Sequence, residues 1–111
     1  MRIAIPATGE GKESRPDDRF GRCSCFAVFD MASSSWSFVP NGARRHEHGA
    51  GIAAARRLID HDVDVVIGPR LGPNAAQVLE RASITCLPFP GQGGDTVEAV
   101  LQTWLQEERG H

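Results

Sequence analysis

The sequence predicts one α/β domain with a mostly parallel sheet, and three observations carry that prediction. From residue 50 onward, short apolar runs alternate with stripes of helical period, the pattern of right-handed β–α–β crossovers. Earlier, two strand-like runs are separated only by a turn over residues 31–34, which makes them a hairpin. The length of 111 residues and the 41% hydrophobic and 23% charged content are those of one globular unit able to bury its own core.

The elements follow in order. Residues 2–6, with Ile3 and Ile5 flanking Ala4, read as a first strand that Pro6 stops. Residues 8–22 are polar and form a loop longer than the usual ~4–6 residues, and such loops tend to be functional or mobile. Cys25–Asp30 and Ser35–Pro40 are the hairpin strands. In the second, Trp36 and Phe38 alternate with serine, so one face is expected to be buried and the other wet. After a polar loop over 41–48, residues 50–60 form a helix with Ile52, Ala55 and Ile59 on its stripe. Residues 63–67 read as a central strand. Gly72-Pro73 opens a second helix, with Ala75, Val78, Leu79 and Ala82 at helical spacing. Residues 84–87 are the last strand, and Cys86 within it reads as core. A glycine-rich loop over 91–94 leads to Asp95 and Glu98, an aspartate version of a capping box. The final helix carries Val97, Val100, Leu101, Trp104 and Leu105. No repeat or linker interrupts residues 1–111, so a single domain is expected.

Charge and cysteine usage narrow the function. A net charge of -2 gives no reason to expect nucleic acid or an anionic membrane as partner. No run approaches the ~20 apolar residues of a membrane span, and the first residues do not read as a signal peptide. A cytoplasmic location with reduced thiols is therefore expected. There the three cysteines serve as core residues, ligands or nucleophiles rather than disulfides. Eleven of the twelve basic residues are arginine, whose fork of donors suits anions; high genomic GC content would produce the same bias.

Strand direction then brings the connections together. The first, fourth and fifth strands end at one edge of the sheet, and an antiparallel second strand begins there. Ligands of open α/β sheets bind outside such carboxyl ends. Three helix amino termini, near Gly49, Gly72 and Asp95, point to this edge and favour anions. Arg15, Arg19, Arg22, Arg44, Arg45 and Arg70 lie in the same loops, partly balanced by acidic residues. A metal-type pattern also converges, Cys23-Ser24-Cys25 with His46-Glu47-His48. In extended backbone, residues two apart share a face at about 6.6–6.8 Å, so each pair could reach one soft metal or cluster. Cys25 as a plain core residue and the histidines as exposed loop polars are the alternatives. His61 and His111 read as surface residues.

Two enzyme readings fare worse. The loop Gly91-Gln92-Gly93-Gly94 could cradle a phosphate, but neither a Walker lysine nor a dinucleotide fingerprint accompanies it. A Cys–His nucleophile pair lacks any spacing that would define its geometry.

Taken together, Arg19-Phe20-Gly21-Arg22, His48-Gly49-Ala50-Gly51-Ile52, Val65-Val66-Ile67-Gly68, Leu71-Gly72-Pro73-Asn74-Ala75 and Asp95-Thr96-Val97-Glu98-Ala99 form an ordered set of motifs over nearly the whole chain. The set resembles the dinitrogenase iron-molybdenum cofactor biosynthesis family, which includes nitrogenase cofactor carriers and orange-protein-like members. The resemblance implies a three-layer α/β/α, ribonuclease-H-like fold with a five-stranded mixed sheet. It also implies a carrier without catalytic activity, binding an anionic metal–sulfur cluster or its precursor, of molybdenum with iron or with copper. Arg19, Arg22, Gly49, Gly72, Asn74 and Gly93 are then the candidate cofactor-binding residues, and Cys23, Cys25, His46 and His48 the candidate metal ligands. His48 stands where small relatives often carry glycine. The fold's nucleases need carboxylates on the first strand; Arg-Ile-Ala-Ile-Pro offers none, so nuclease activity is not expected. A regulatory or assembly module docking a partner protein through the same loops is the alternative function.

Overall fold

The computed structural model describes residues 1–45, 48–90 and 95–109. Its elements are β1 (Arg2–Ala7), β2 (Cys25–Asp30), β3 (Ser35–Pro40), a 3-10 turn (Gly42–Arg45), α1 (Ala50–Asp60), β4 (Val65–Gly68), α2 (Pro73–Arg81), β5 (Thr85–Pro88) and α3 (Val97–Arg109). The five strands form one mixed sheet in the order β3-β2-β1-β4-β5. β1 pairs antiparallel with β2 and parallel with β4, and β4 pairs parallel with β5. The hairpin thus adds one strand antiparallel to β1 and one parallel to it, as expected.

Side-chain alternation along the strands sorts the core into two clusters. Ala4, Phe26, Val28 and Val66 pack with Ala54, Ala55 and Leu58 of α1 and Leu79 of α2. Ile3, Ile5, Val65 and Ile67 pack with Val97, Val100 and Leu101 of α3. Two helices therefore cover one face and a single helix the other. The lone helix leaves Phe29, Trp36 and Phe38 half-buried, with Trp36 stacked on Phe38 at 6.2 Å between ring centroids.

Several local expectations change: β1 runs on through Pro6 to Ala7, and β5 spans Thr85–Pro88. α1 buries Ala50, Ala54, Ala55 and Leu58, while Ile52 and Ile59 sit at the flanks of the stripe. β4 starts two residues late, because the Val63 N–H is used to end α1 on the Leu58 carbonyl (3.2 Å). Cys86 is exposed rather than core. β5 is the edge strand, and Cys86 lines a shallow apolar hollow with Leu71, Ala76 and Pro88 that α2 does not cover.

Candidate anion-binding site

β1 ends, β2 begins and β4 and β5 end at one rim of the sheet, and there the first turns of α1 and α2 meet the loop that follows β1. Between them lies a cleft of about 320 Å³, lined by Arg19, Phe20 and Gly21 from the loop, Gly49–Ile52 from α1 and Arg70–Ala75 from α2. Its walls are close-packed backbone. A Cβ on Gly21 would fall 2.8 Å from the Gly51 nitrogen and 3.1 Å from the Ala50 carbonyl carbon, so only glycine lets the loop lie on α1. A Cβ on Gly51 would come within 3.3 Å of the Ala75 Cβ, which brings the two helix starts almost into contact. Gly49 caps α1 with φ 72°, a left-handed conformation that glycine adopts without strain.

Neither helix start carries a side-chain cap. The first intrahelical bonds run from Ala53 N to Gly49 O and from Ala76 N to Gly72 O, both 3.0 Å. The N–H groups of Ala50, Gly51 and Ile52, and of Asn74 and Ala75, precede those bonds and have no acceptor within their helices. Pro73 has no N–H to leave over. Five backbone donors and the positive ends of two helix dipoles therefore border one cleft. The third helix does not contribute, contrary to the sequence reading. Val97 N donates to Ser14 O (2.9 Å), Glu98 N to Lys12 O (3.1 Å), and Ala99 N to Thr96 Oγ1 (3.1 Å). Thr96, not Asp95, is thus the side-chain cap, and Glu98 turns to Lys12 (3.1 Å).

The loop is anchored from below. Phe20 is buried and tilts against Phe26 at 5.2 Å. Buried Asn41 donates through Nδ2 to the carbonyls of Gly21 (3.1 Å) and Cys23 (3.0 Å), clamping the segment that forms the cleft wall. Asp17, 3% exposed, accepts bonds from Arg19 N (2.9 Å), Nε (3.2 Å) and Nη2 (3.2 Å). Asp17 and Asp18 together balance Arg19 and Arg70, so the side chains around the cleft bring no net charge. Any attraction of an anion there would come from the amides.

Of the residues proposed from the sequence, Arg19, Gly49, Gly72 and Asn74 come together in this cleft. Arg22 is exposed on the same loop, and His48 is exposed immediately before the Gly49 cap. His46 and Gly93 lie outside the described residues. The cysteines do not share a face as the period-2 spacing suggested. β2 begins only at Cys25, so Cys23 sits in the preceding turn, where strand alternation does not apply. Cys23 packs fully buried in the α1–α2 core, and Cys25 on the α3 side. Burial and the nearby Asp17 carboxylate push the Cys23 thiol up from 9.0 to about 12. Burial, with Glu10, also raises that of Cys25, whose Sγ donates to the Gly9 carbonyl (3.0 Å). Cys25 faces a separate open cavity of about 640 Å³, beside Glu10, Asn41 and Arg45. No group of three or more Cys, His, Asp or Glu among the described residues could hold a metal ion.

Two neutral, separated thiols are poor ligands for a bare soft cation, which needs thiolates. Amides, helix starts and guanidinium groups suit instead an anion that arrives already assembled. Sequence reasoning placed the helix starts near Gly49 and Gly72 at this rim but missed Asp17 and Asn41, polar residues in polar loops that gave no sign of burial.

The fold and the cleft define an α/β domain with two uncapped helix starts meeting at its sheet rim. The chain belongs to the dinitrogenase iron-molybdenum cofactor family, whose model matches residues 1–107. Its structure is similar to that of the apo form of the orange protein from Desulfovibrio gigas. The two share 36% sequence identity and superpose with a TM-score of 0.87, over 96% of this chain and 88% of that one. It is also similar to a candidate NifB protein from Thermotoga, at 28% identity and a TM-score of 0.78 over 95% and 87% of the two chains. No curated protein matches the sequence significantly.

Proposed function

We propose that this protein is a non-catalytic carrier for an anionic metal–sulfur cluster or its precursor, held in the cleft between α1 and α2. The observation that carries the reading is the pair of uncapped helix starts turned to one cleft beside Arg19 and Arg70. Family membership and the orange-protein likeness, which suggest a cofactor-related role, favour a cluster over other anions. The cluster is cargo, and the chain's part is to hold its charge by hydrogen bonds without competing for its metals. Cys23, within the core, takes no part in that arrangement. His48, beside the Gly49 cap, is the candidate ligand nearest to it in sequence.

The test separates binding from folding. Asn74 is exposed in the first turn of α2, where a carboxylate favours the helix dipole by about 0.3–1 kcal/mol. Asn74→Asp should therefore raise the melting temperature slightly and, by repelling an anion, weaken anaerobic uptake of tetrathiomolybdate at least about tenfold, about 1.4 kcal/mol. Uptake followed by absorption and equilibrium dialysis decides it. Unchanged binding in Asn74→Asp removes the cleft from the site, and a wild-type chain that takes up no thiometallate or iron–sulfur species removes the function.

A further inference from the structure

Asp17 is a charged residue almost without contact with water, 3% exposed, in a loop that is otherwise largely polar and exposed. Its backbone is tied to the sheet: Asp17 N donates to Pro6 O at 2.8 Å, and Pro16 bridges to Ala7. The carboxylate is thus fixed to the end of β1 and not free to follow the loop. A buried carboxylate needs a partner, and among the described residues every donor it meets belongs to Arg19. Nε and Nη2 approach Oδ1 and Oδ2 in the side-by-side manner of a bidentate guanidinium–carboxylate pair, while Arg19 N closes a tight turn onto Oδ1. The Arg19 side chain is nevertheless 64% exposed and lines the cleft. One edge of the guanidinium is held from beneath, and the rest is presented outward.

We propose that Asp17 is a positioning residue for anion binding: it acts through Arg19, holding the guanidinium in one orientation at the cleft so that its remaining donors meet the cargo without a loss of side-chain freedom. This rests on the reading of the cleft as the cargo site. An arginine on a loop samples many rotamers, and each immobilised side chain of this kind weakens binding when its order must be supplied by the ligand. Asp17 supplies that order in advance. It also explains how an acidic residue can stand next to an anion site: its charge is spent on the arginine, and the field at the cleft is left to the amides.

The experiment is a double-mutant cycle on the full chain, with tetrathiomolybdate as probe. Asp17→Asn keeps the shape but loses the bidentate pair; it should weaken uptake about tenfold. In an Arg19→Gln background the same substitution should change uptake by less than about twofold, because the residue it acts through is gone. A cargo-free readout accompanies the cycle. The Arg19 Nε–H proton should give a slowly exchanging NMR signal in the wild-type protein and exchange rapidly in Asp17→Asn. Equal losses in both backgrounds would make Asp17 merely structural, and wild-type uptake by Asp17→Asn would overturn the proposal while leaving the cleft intact. If Arg19→Gln binds normally, the arginine is not part of the site and the proposal falls, although uptake itself stands. A wild-type chain without uptake removes both.

Discussion

Among single residues, Cys23 carries the sharpest consequence of burial. Its thiol is pushed up to about 12 by desolvation first and by Asp17 second. Well below the ordinary value of 9.0 the thiol is neutral in both the folded and the unfolded chain, so it costs nothing. Between about 9 and 12 the unfolded chain ionises it and the native fold does not, so stability falls as pH rises through that window. Melting temperature against pH should therefore decline more steeply above pH 9 in the wild-type protein than in Cys23→Val; parallel curves would show that the thiol does not resist ionisation. Local sequence could not foretell this. Cys23 and Cys25 are two apart in both chain and pattern, yet the strand starts between them, and the pair is divided between the two sides of the sheet.

Elements set the cleft by how closely their backbones approach. The loop after β1 lies on the first turn of α1 through Gly21, and α1 lies on α2 through Gly51. The two glycines differ in what surrounds them. At Gly21 a methyl group meets backbone at 2.8 Å, which cannot yield, and Gly21→Ala should destabilise by roughly 1–3 kcal/mol and weaken cargo uptake as the wall shifts. At Gly51 the methyl meets a methyl at 3.3 Å, and alanine is favoured in a helix by up to about 1 kcal/mol. Gly51→Ala should stay within about 1 kcal/mol of wild type. Denaturant melts of both variants check the contrast, which fails if the two cost the same. The order and type of the elements were legible, since periodicity is local. The closure of the α3 start by Ser14 and Lys12 was not, because those acceptors are more than eighty residues away along the chain.

For the whole molecule, the charge balance predicts little long-range attraction of an anion. The net charge is -2, and Asp17 and Asp18 offset the two arginines at the cleft. Attraction begins only when the cargo reaches the amides, over distances shorter than the ~8–10 Å Debye length at physiological salt. Uptake rates should therefore be nearly independent of ionic strength, or rise slightly with it; a steep fall on adding salt, measured by stopped-flow absorption, would mean that arginine charge steers the cargo after all. The chain contains no described helix long and apolar enough to cross a membrane. By itself the sequence determined the strands and helices, their alternation, and hence the rim to which the connections lead, because crossover handedness and strand direction follow from local pattern. Tertiary structure alone decided which cysteines are buried, which helix starts stay without a cap, and that Asp17, the local partner of Arg19, is buried against the end of β1. Each of these depends on what packs against a residue from distant parts of the chain, and no local period records that.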